Sequence, residues 1–270
     1  MPFEQRAGIA ENLENFALCH GTGMVSGVFQ VPSSKFIGTA GLADTGALLN
    51  NSPVPKWVKF IIAILLLPVC VAAGKTLWMV MNQCGGADTT LIPIAAGAAC
   101  WLVIFVLLPK PMWIYVVGHE LTHAIWVWLF GGSVKKFKAT SNGGHVIVDK
   151  NNFLISLSPY FFPFYAVLEV LIFLVGHLIW NWKNFFVWFH LLVGAAYAFH
   201  VTLTATILRT EQSDITSQGY VFSMVVIFLG NVLVLLVGIP LLTAKVDLLT
   251  MLKWWLANTN QIIHRIGTMF

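Results

Sequence analysis

Six long apolar stretches follow one another along most of this chain, separated by short segments rich in Gly, Pro, Lys or Asn. A helix needs about 20 mostly apolar residues to cross the hydrocarbon core of a bilayer, and each stretch is close to that length. The pattern therefore predicts an all-α, polytopic membrane protein with about six transmembrane helices. The predicted spans are 57–80, 91–108, 112–130, 153–178, 185–208 and 220–242.

The two ends of the chain have a different pattern from the spans. Residues 1–55 mix Gly, Ser, Thr, Asn and Pro with isolated apolar residues. A loop, partial disorder or a helix lying on the membrane would each fit this segment, and its role is unknown. In the tail, 244–270, apolar residues recur at near-helical spacing, which predicts an amphipathic helix at the membrane interface. Those residues are Val246, Leu248, Leu249, Leu252, Trp255 and Leu256.

The main polar insert lies between the third and fourth predicted spans, at residues 131–152. Its first part, Ser133 to Ala139, alternates loosely between apolar and polar positions, and Val146 to Val148 is β-branched. Between them stands Asn142-Gly143-Gly144, a strong turn signal. The insert therefore predicts a β-hairpin after the third span.

Composition supports a lipid environment and excludes several classes of protein. Hydrophobic residues make up 58% of the 270 residues and charged residues only 10%, whereas soluble domains have about 45–50% and 25%. The net charge of +4 is small and scattered, so a nucleic-acid partner is not expected. The four cysteines show no C-x-x-C spacing, which argues against a disulfide framework or a zinc ribbon.

The third predicted span contains the motif His119-Glu120-Leu121-Thr122-His123. Positions i and i+4 share one face of a helix, so the two imidazoles can grip one zinc ion and the intervening Glu120 can act as a base on water. Two histidines and a glutamate within a membrane span are costly, and such residues are usually functional. A buried polar cluster that only joins helices is the structural alternative, although Ser, Thr or Asn usually fill that role.

A catalytic zinc normally has three protein ligands, so a third ligand must come from elsewhere in the chain. If the spans alternate in direction, the third and fifth leave the membrane on the same side, which places His123 and His200 at similar depth. Asp214 lies just before the last span and reaches the metal only if that junction folds back into the protein. The residues alone leave both choices open. The full set of candidates after the motif is Glu169, His177, His190, His200, Glu211 and Asp214.

Together these features resemble the site-2 protease family of intramembrane zinc metalloproteases, in particular its small bacterial branch without a PDZ domain. The likeness covers about residues 112–235. His119, Glu120 and His123 match the family's zinc-and-base motif. Two further matches are the Gly131-Gly132 pair with its following hairpin, which fits a re-entrant β element, and Ser158-Pro159-Tyr160, which fits a small-residue–Pro turn.

The family's third ligand is an Asp in N-x-x-P-x-x-x-L-D-G, which by resemblance is Asp214. Here the pattern is degenerate, because Ile215 follows the Asp, no Pro precedes it, and Gly219 comes only five residues later. His200 therefore remains the alternative to Asp214.

The resemblance implies that residues 56–243 form a catalytic domain that hydrolyses a peptide bond in or near the transmembrane segment of a substrate protein. Glu120 would take a proton from water and pass it to the leaving amine. The hairpin would offer an edge strand to an unwound substrate, with Asn142, Gly143 and Gly144 as the substrate-binding residues. The expected location is a multi-pass position in a bacterial inner membrane.

Two other interpretations remain at the level of sequence. One is a different class of H-E-x-x-H membrane protease with a Glu as third ligand, for which Glu169 and Glu211 are present. The other is a zinc-binding membrane scaffold or transporter without catalytic activity. The intact Glu120 favours an enzyme, because a protein that only binds metal does not need it. The oligomeric state is not determined by these patterns.

Overall fold

The computed structural model describes residues 37–38, 54–140 and 143–269. The described chain is dominated by helices, and a small β-sheet follows the third of them. The helices are α1 (Lys56–Gln83), α2 (Asp88–Leu107), α3 (Met112–Leu129), α4 (Phe153–Leu157), α5 (Phe164–Trp180), α6 (Phe186–Ile207), α7 (Ser213–Gln218), α8 (Tyr220–Thr243) and α9 (Leu248–Gly267). The predicted segment 1–55 lies almost entirely outside the described residues.

Four of the described helices are long and apolar enough to cross a membrane: α1, α2, α8, and α6 with the turn before it, Lys183–Ile207. A fifth crossing is present if α4, the turn Ser158–Tyr160 and α5 are counted as one bent span. These helices are consistent with a membrane protein. Helix α3 fills the third predicted span but is not among them, because its two His and one Glu reduce its hydropathy. Six spans therefore stays a prediction.

The span predicted at 153–178 is broken in the structure. Helix α4 ends after five residues, a 3₁₀ turn covers Ser158–Tyr160, and α5 begins only at Phe164. The two helical parts meet at 81°. Pro163 stands directly before α5, and a proline disfavours helical backbone in the residue before it while lacking an N–H of its own. The predicted span is therefore present as a bent pair of helices rather than as one straight helix.

The predicted hairpin is present as β2 (Val134–Thr140) paired antiparallel with β3 (Gly143–Val148). A two-residue strand, β1 (Ile37–Gly38), pairs with β3 in parallel on its other edge. The buried side chains of β3, Val146 and Val148, pack with Val127 of α3 and Ile155 of α4. At the base of the hairpin, the carboxylate of Asp149 accepts hydrogen bonds of 2.7 Å from the backbone N–H and the hydroxyl of Ser133. The hairpin is thereby held along α3.

Helices α2 and α6 lie in very close contact. A Cβ atom added at Gly97 would lie 1.8 Å from the backbone oxygen of Leu191, and one added at Gly194 would lie 2.0 Å from that of Ile94. Small residues at facing positions let helix backbones approach closely within a membrane. This pair supports α6, which borders the site described below.

Helices α1 and α8 run in the same direction, and α9 packs against α1. Near one end, Lys59 Nζ donates to Gln218 Oε1 at 2.6 Å, and near the other, Cys84 Sγ lies 3.3 Å from Thr243 Oγ1. Asn258 of α9 is buried and donates to Thr76 Oγ1 at 2.9 Å. The predicted C-terminal helix is therefore present, and its buried face carries a polar residue that binds α1.

Candidate metal centre

Helix α3 presents the predicted histidine pair and the intervening glutamate to the interior. His119, Glu120 and His123 are all buried, with exposed fractions of 7%, 1% and 1%. The two imidazole rings lie with their centroids 5.0 Å apart, as expected for residues one helical turn apart on one face. The H-E-x-x-H motif is thus in helical conformation and is enclosed by protein.

Asp214 reaches this pair from α7, a six-residue helix between α6 and α8. Its Oδ2 atom lies 3.7 Å from His119 Nε2 and 3.6 Å from His123 Nε2, and the carboxylate is fully buried. The junction before the last helix therefore folds back into the protein, as the assignment of Asp214 required. Among the described residues, His119, His123 and Asp214 form the group of side chains that could hold a metal ion, the candidate metal-ligating group, with ligand atoms within 4.8 Å of one another.

The geometry of this group fits a divalent metal ion. Two ligand atoms each about 2.0–2.2 Å from one ion, in a tetrahedral arrangement, lie about 3.3–3.6 Å apart. The observed separations of 3.6 and 3.7 Å are close to that range. Two imidazoles and one carboxylate are also a donor set used by catalytic zinc sites. The three residues can hold a metal ion, and its identity as zinc stays a prediction.

The ring of His123 is held in one orientation by α4. Its Nδ1 atom lies 2.8 Å from the backbone oxygen of Ile155. A carbonyl oxygen can only accept a hydrogen bond, so Nδ1 carries a proton, and Nε2 is the nitrogen that faces Asp214. That is the tautomer that binds a metal through Nε2, and such support from a second residue is typical of metal-binding histidines.

Tyr160 supports the Asp214 side chain. Its hydroxyl donates to Asp214 Oδ2 at 3.0 Å, and the residue is completely buried. Its backbone oxygen accepts a 3.0 Å hydrogen bond from Asn231 of α8. Sequence reasoning identified Ser158-Pro159-Tyr160 only as a turn and missed this role. The available signal was a tyrosine in an apolar segment, since a buried hydroxyl usually finds a partner.

Strand β3 comes directly against the predicted catalytic residue. A Cβ atom added at Gly144 would lie 2.5 Å from Glu120 Cγ and 2.6 Å from Glu120 Oε1. Only glycine fits at this position with the present packing. Gly143 begins the strand with a φ of 120°, which favours glycine. Asn142, the third predicted substrate-binding residue, lies outside the described residues.

His200 lies near the histidine pair but is not part of the metal-ligating group. It lines one small cavity together with His119. Tyr115, four residues before His119, meets Thr204, four residues after His200, with their oxygens 3.1 Å apart. The two helices therefore cross in opposite directions, and the argument that placed His200 by parallel depth was wrong. His200 lies near the histidine pair because α3 and α6 cross at this point.

The acidic alternatives do not meet the histidines. Glu169 lies on α5 and Glu211 on the exposed segment before α7, and neither belongs to the metal-ligating group. No family model, curated protein or solved structure matches this chain.

Proposed function

We propose that this protein is a zinc metalloprotease that hydrolyses a peptide bond in or near the transmembrane segment of another membrane protein. The observation that carries the proposal is the meeting of His119 and His123 with Asp214, while Glu120 lies buried beside them against β3. Metal ligands alone would serve a binding protein. A buried carboxylate between the two histidines, facing a strand, is what hydrolysis requires in addition.

Each of the residues has a defined task in this proposal. His119, His123 and Asp214 would hold the metal, which supplies Lewis-acid activation of water and of the scissile carbonyl. Glu120 accepts the proton of the attacking water and delivers it to the leaving amide nitrogen. Tyr160 holds the Asp214 carboxylate toward the histidines. His123 is kept in its metal-binding tautomer by Ile155.

The strand beside Glu120 supports an extended peptide as the substrate. A helical peptide keeps its carbonyls in internal hydrogen bonds, so it must unwind locally before hydrolysis. An unwound segment can pair with the backbone of a neighbouring strand, and β1 covers only Ile147 and Val148 of β3. Gly143 and Gly144 stand at the end of β3 nearest Glu120, and we assign them, with Asn142, to substrate binding.

The surroundings of the site support a substrate that is itself embedded in a membrane. Four to five helices are apolar and long enough to cross a bilayer, and the site is built on helices packed among them. The resemblance to site-2 proteases adds a multi-pass location in a bacterial inner membrane. Lipid and a membrane-protein substrate are then the partners of this chain.

The decisive variant is Glu120→Gln, tested on purified protein in lipid vesicles with a single-span substrate. The amide cannot accept a proton, so we expect cleavage to fall by about 10²–10⁴-fold while zinc content is unchanged. Glu169→Gln is the matched control, because it removes a partly buried carboxylate of α5 outside the site. Undiminished cleavage by Glu120→Gln would refute the mechanism. A wild-type protein that binds zinc but cleaves no membrane substrate would favour a scaffold or transporter.

A further inference from the structure

The two histidines of the motif differ in the hydrogen-bond partner of Nδ1, the ring nitrogen that does not face Asp214. His123 uses Nδ1 to bind the backbone oxygen of Ile155. His119 turns Nε2 toward Asp214, and its Nδ1 is buried with no hydrogen-bond partner among the described residues. A histidine that binds a metal nearly always donates its other N–H to an oxygen or a water, which fixes the tautomer. The nature of that partner for His119 is therefore open.

A second buried nitrogen lies close by. His200 of α6 is 6% exposed, and its Nε2 also has no hydrogen-bond partner within the described part of the chain. His119 and His200 line the same cavity. A polar nitrogen without a partner is costly in an apolar interior, so two of them beside one cavity point to a shared ligand.

The other polar side chains around this cavity are already engaged. Tyr115 shares a hydrogen bond with Thr204, and the hydroxyl of Thr122 donates to the backbone oxygen of Gly118 at 2.7 Å. Tyr165 donates to the backbone oxygen of Ile114. Each of these hydroxyls already has a hydrogen-bond partner, whereas the two histidine nitrogens have none among the described residues and so have the greatest need of one.

The volume of the cavity indicates what can occupy it. Its volume is about 10 Å³, which is close to the space that one water molecule requires. A buried water also needs at least two polar partners, and the two nitrogens supply them.

We propose that His200 is a positioning residue that binds His119 through one water molecule held in this cavity. The Nδ1–H of His119 donates to the water oxygen, and the water donates to Nε2 of His200. When Nε2 binds the metal, Nδ1 carries the proton that this water accepts, so the water would orient the ring of His119. The inference rests on the proposed metal centre and assigns His200 a task other than direct ligation.

The first test measures zinc affinity by competition with a chelator, on full-length protein in detergent. His200→Phe keeps a ring of similar size but has no nitrogen, and we expect its affinity to fall by about 10–100-fold. His200→Gln retains an acceptor and a donor, and we expect it to stay within about threefold of the wild type. Affinity of His200→Phe equal to that of the wild type would overturn the proposal.

The matched control is His190→Phe. His190 lies on the same helix, is similarly buried at 7% exposure, and also has a buried ring nitrogen without a partner among the described residues, but it does not line the cavity. We expect its zinc affinity to equal that of the wild type. An equal loss in both variants would show a general packing effect and would refute the specific role of His200.

The second test looks for the water directly, in a high-resolution structure of the zinc-free protein. We expect one ordered water within hydrogen-bond distance of Nδ1 of His119 and of Nε2 of His200, and we expect it to be absent in His200→Phe. An empty cavity in the unsubstituted chain would overturn the proposal, even if His200→Phe did not fold. This readout needs neither metal nor catalysis, so a protein that failed to bind zinc would refute the proposed function separately.

Discussion

The hydroxyl of Tyr160 donates to Asp214 Oδ2 at 3.0 Å, and this is the same carboxylate oxygen that faces the Nε2 atoms of His119 and His123. The bond fixes the carboxylate on the side where the histidines converge. It also removes part of the freedom that a flexible aspartate would lose on binding a metal. Tyr160 therefore contributes to the site without itself being among the metal-ligating residues.

Removal of this hydroxyl should weaken metal binding. We expect Tyr160→Phe to lower zinc affinity by about 10-fold or more, because supporting hydrogen bonds to metal ligands have effects of that order. Competition with a chelator measures it. Tyr165→Phe is the control, since its hydroxyl binds a backbone oxygen of α3. Equal affinity of Tyr160→Phe and the wild type would show that Asp214 does not depend on this bond.

The identity of the third ligand can be tested by metal analysis. We expect about one zinc per chain in the wild type and nearly none in Asp214→Ala, because two imidazoles alone leave the site incomplete. The His119→Ala/His123→Ala double variant should lose zinc as well. Glu211→Ala removes a nearby exposed carboxylate and should retain zinc. Full zinc content in Asp214→Ala would show that Asp214 is not the third ligand.

The close approach of β3 to Glu120 gives a prediction that separates catalysis from metal binding. A methyl group at position 144 would lie about 2.5 Å from the Glu120 side chain, so either the strand or the carboxylate has to move. We expect Gly144→Ala to reduce cleavage by about 10-fold or more, since small displacements of catalytic groups have large effects, and to keep its zinc. Gly238→Ala has open space around the new methyl group and should cleave normally.

The contact of α2 with α6 predicts a defect in stability. Gly97→Ala and Gly194→Ala would each force two helix backbones apart, and overpacking of this kind costs about 1–3 kcal/mol. We expect a lower temperature of thermal unfolding in detergent for both. Gly74→Ala is the control, because its methyl group meets nothing within 4 Å and alanine favours a helix interior. Unchanged unfolding temperatures in all three would contradict the close packing.

The sequence predicted the parts of the site that depend on local spacing. The i, i+4 pair His119 and His123 requires only a helix, and Asp214 was chosen over His200 because of its place in the chain and its resemblance to a family motif. The choice agrees with the position of Asp214 between α6 and α8. Whether these residues bind zinc stays a prediction.

The parts that the sequence did not predict depend on long-range contacts. Tyr160 and Asp214 are 54 residues apart, and no local pattern brings a hydroxyl to a carboxylate over that distance. The direction in which α3 crosses α6 was also not predicted correctly. An assumed alternation of span directions made the two helices parallel, whereas they run in opposite directions in the structure. Residues 112–130 were predicted as a span from their apolar pattern. The polar residues of the motif make α3 less apolar than the helices that are long and apolar enough to cross a membrane.

The bend before α5 has a consequence for the lipid around the protein. With 17 residues, α5 is about 25 Å long, which is shorter than the hydrocarbon core of a typical bilayer, about 30 Å. A short helix is accommodated by local thinning of the bilayer or by flanking side chains that reach the interface. For an α5 that crosses the bilayer, this mismatch would act at both ends of the helix, one of which follows Tyr160. We therefore expect the acyl-chain length of the surrounding lipid to affect the position of Tyr160, and with it the hydrogen bond to Asp214.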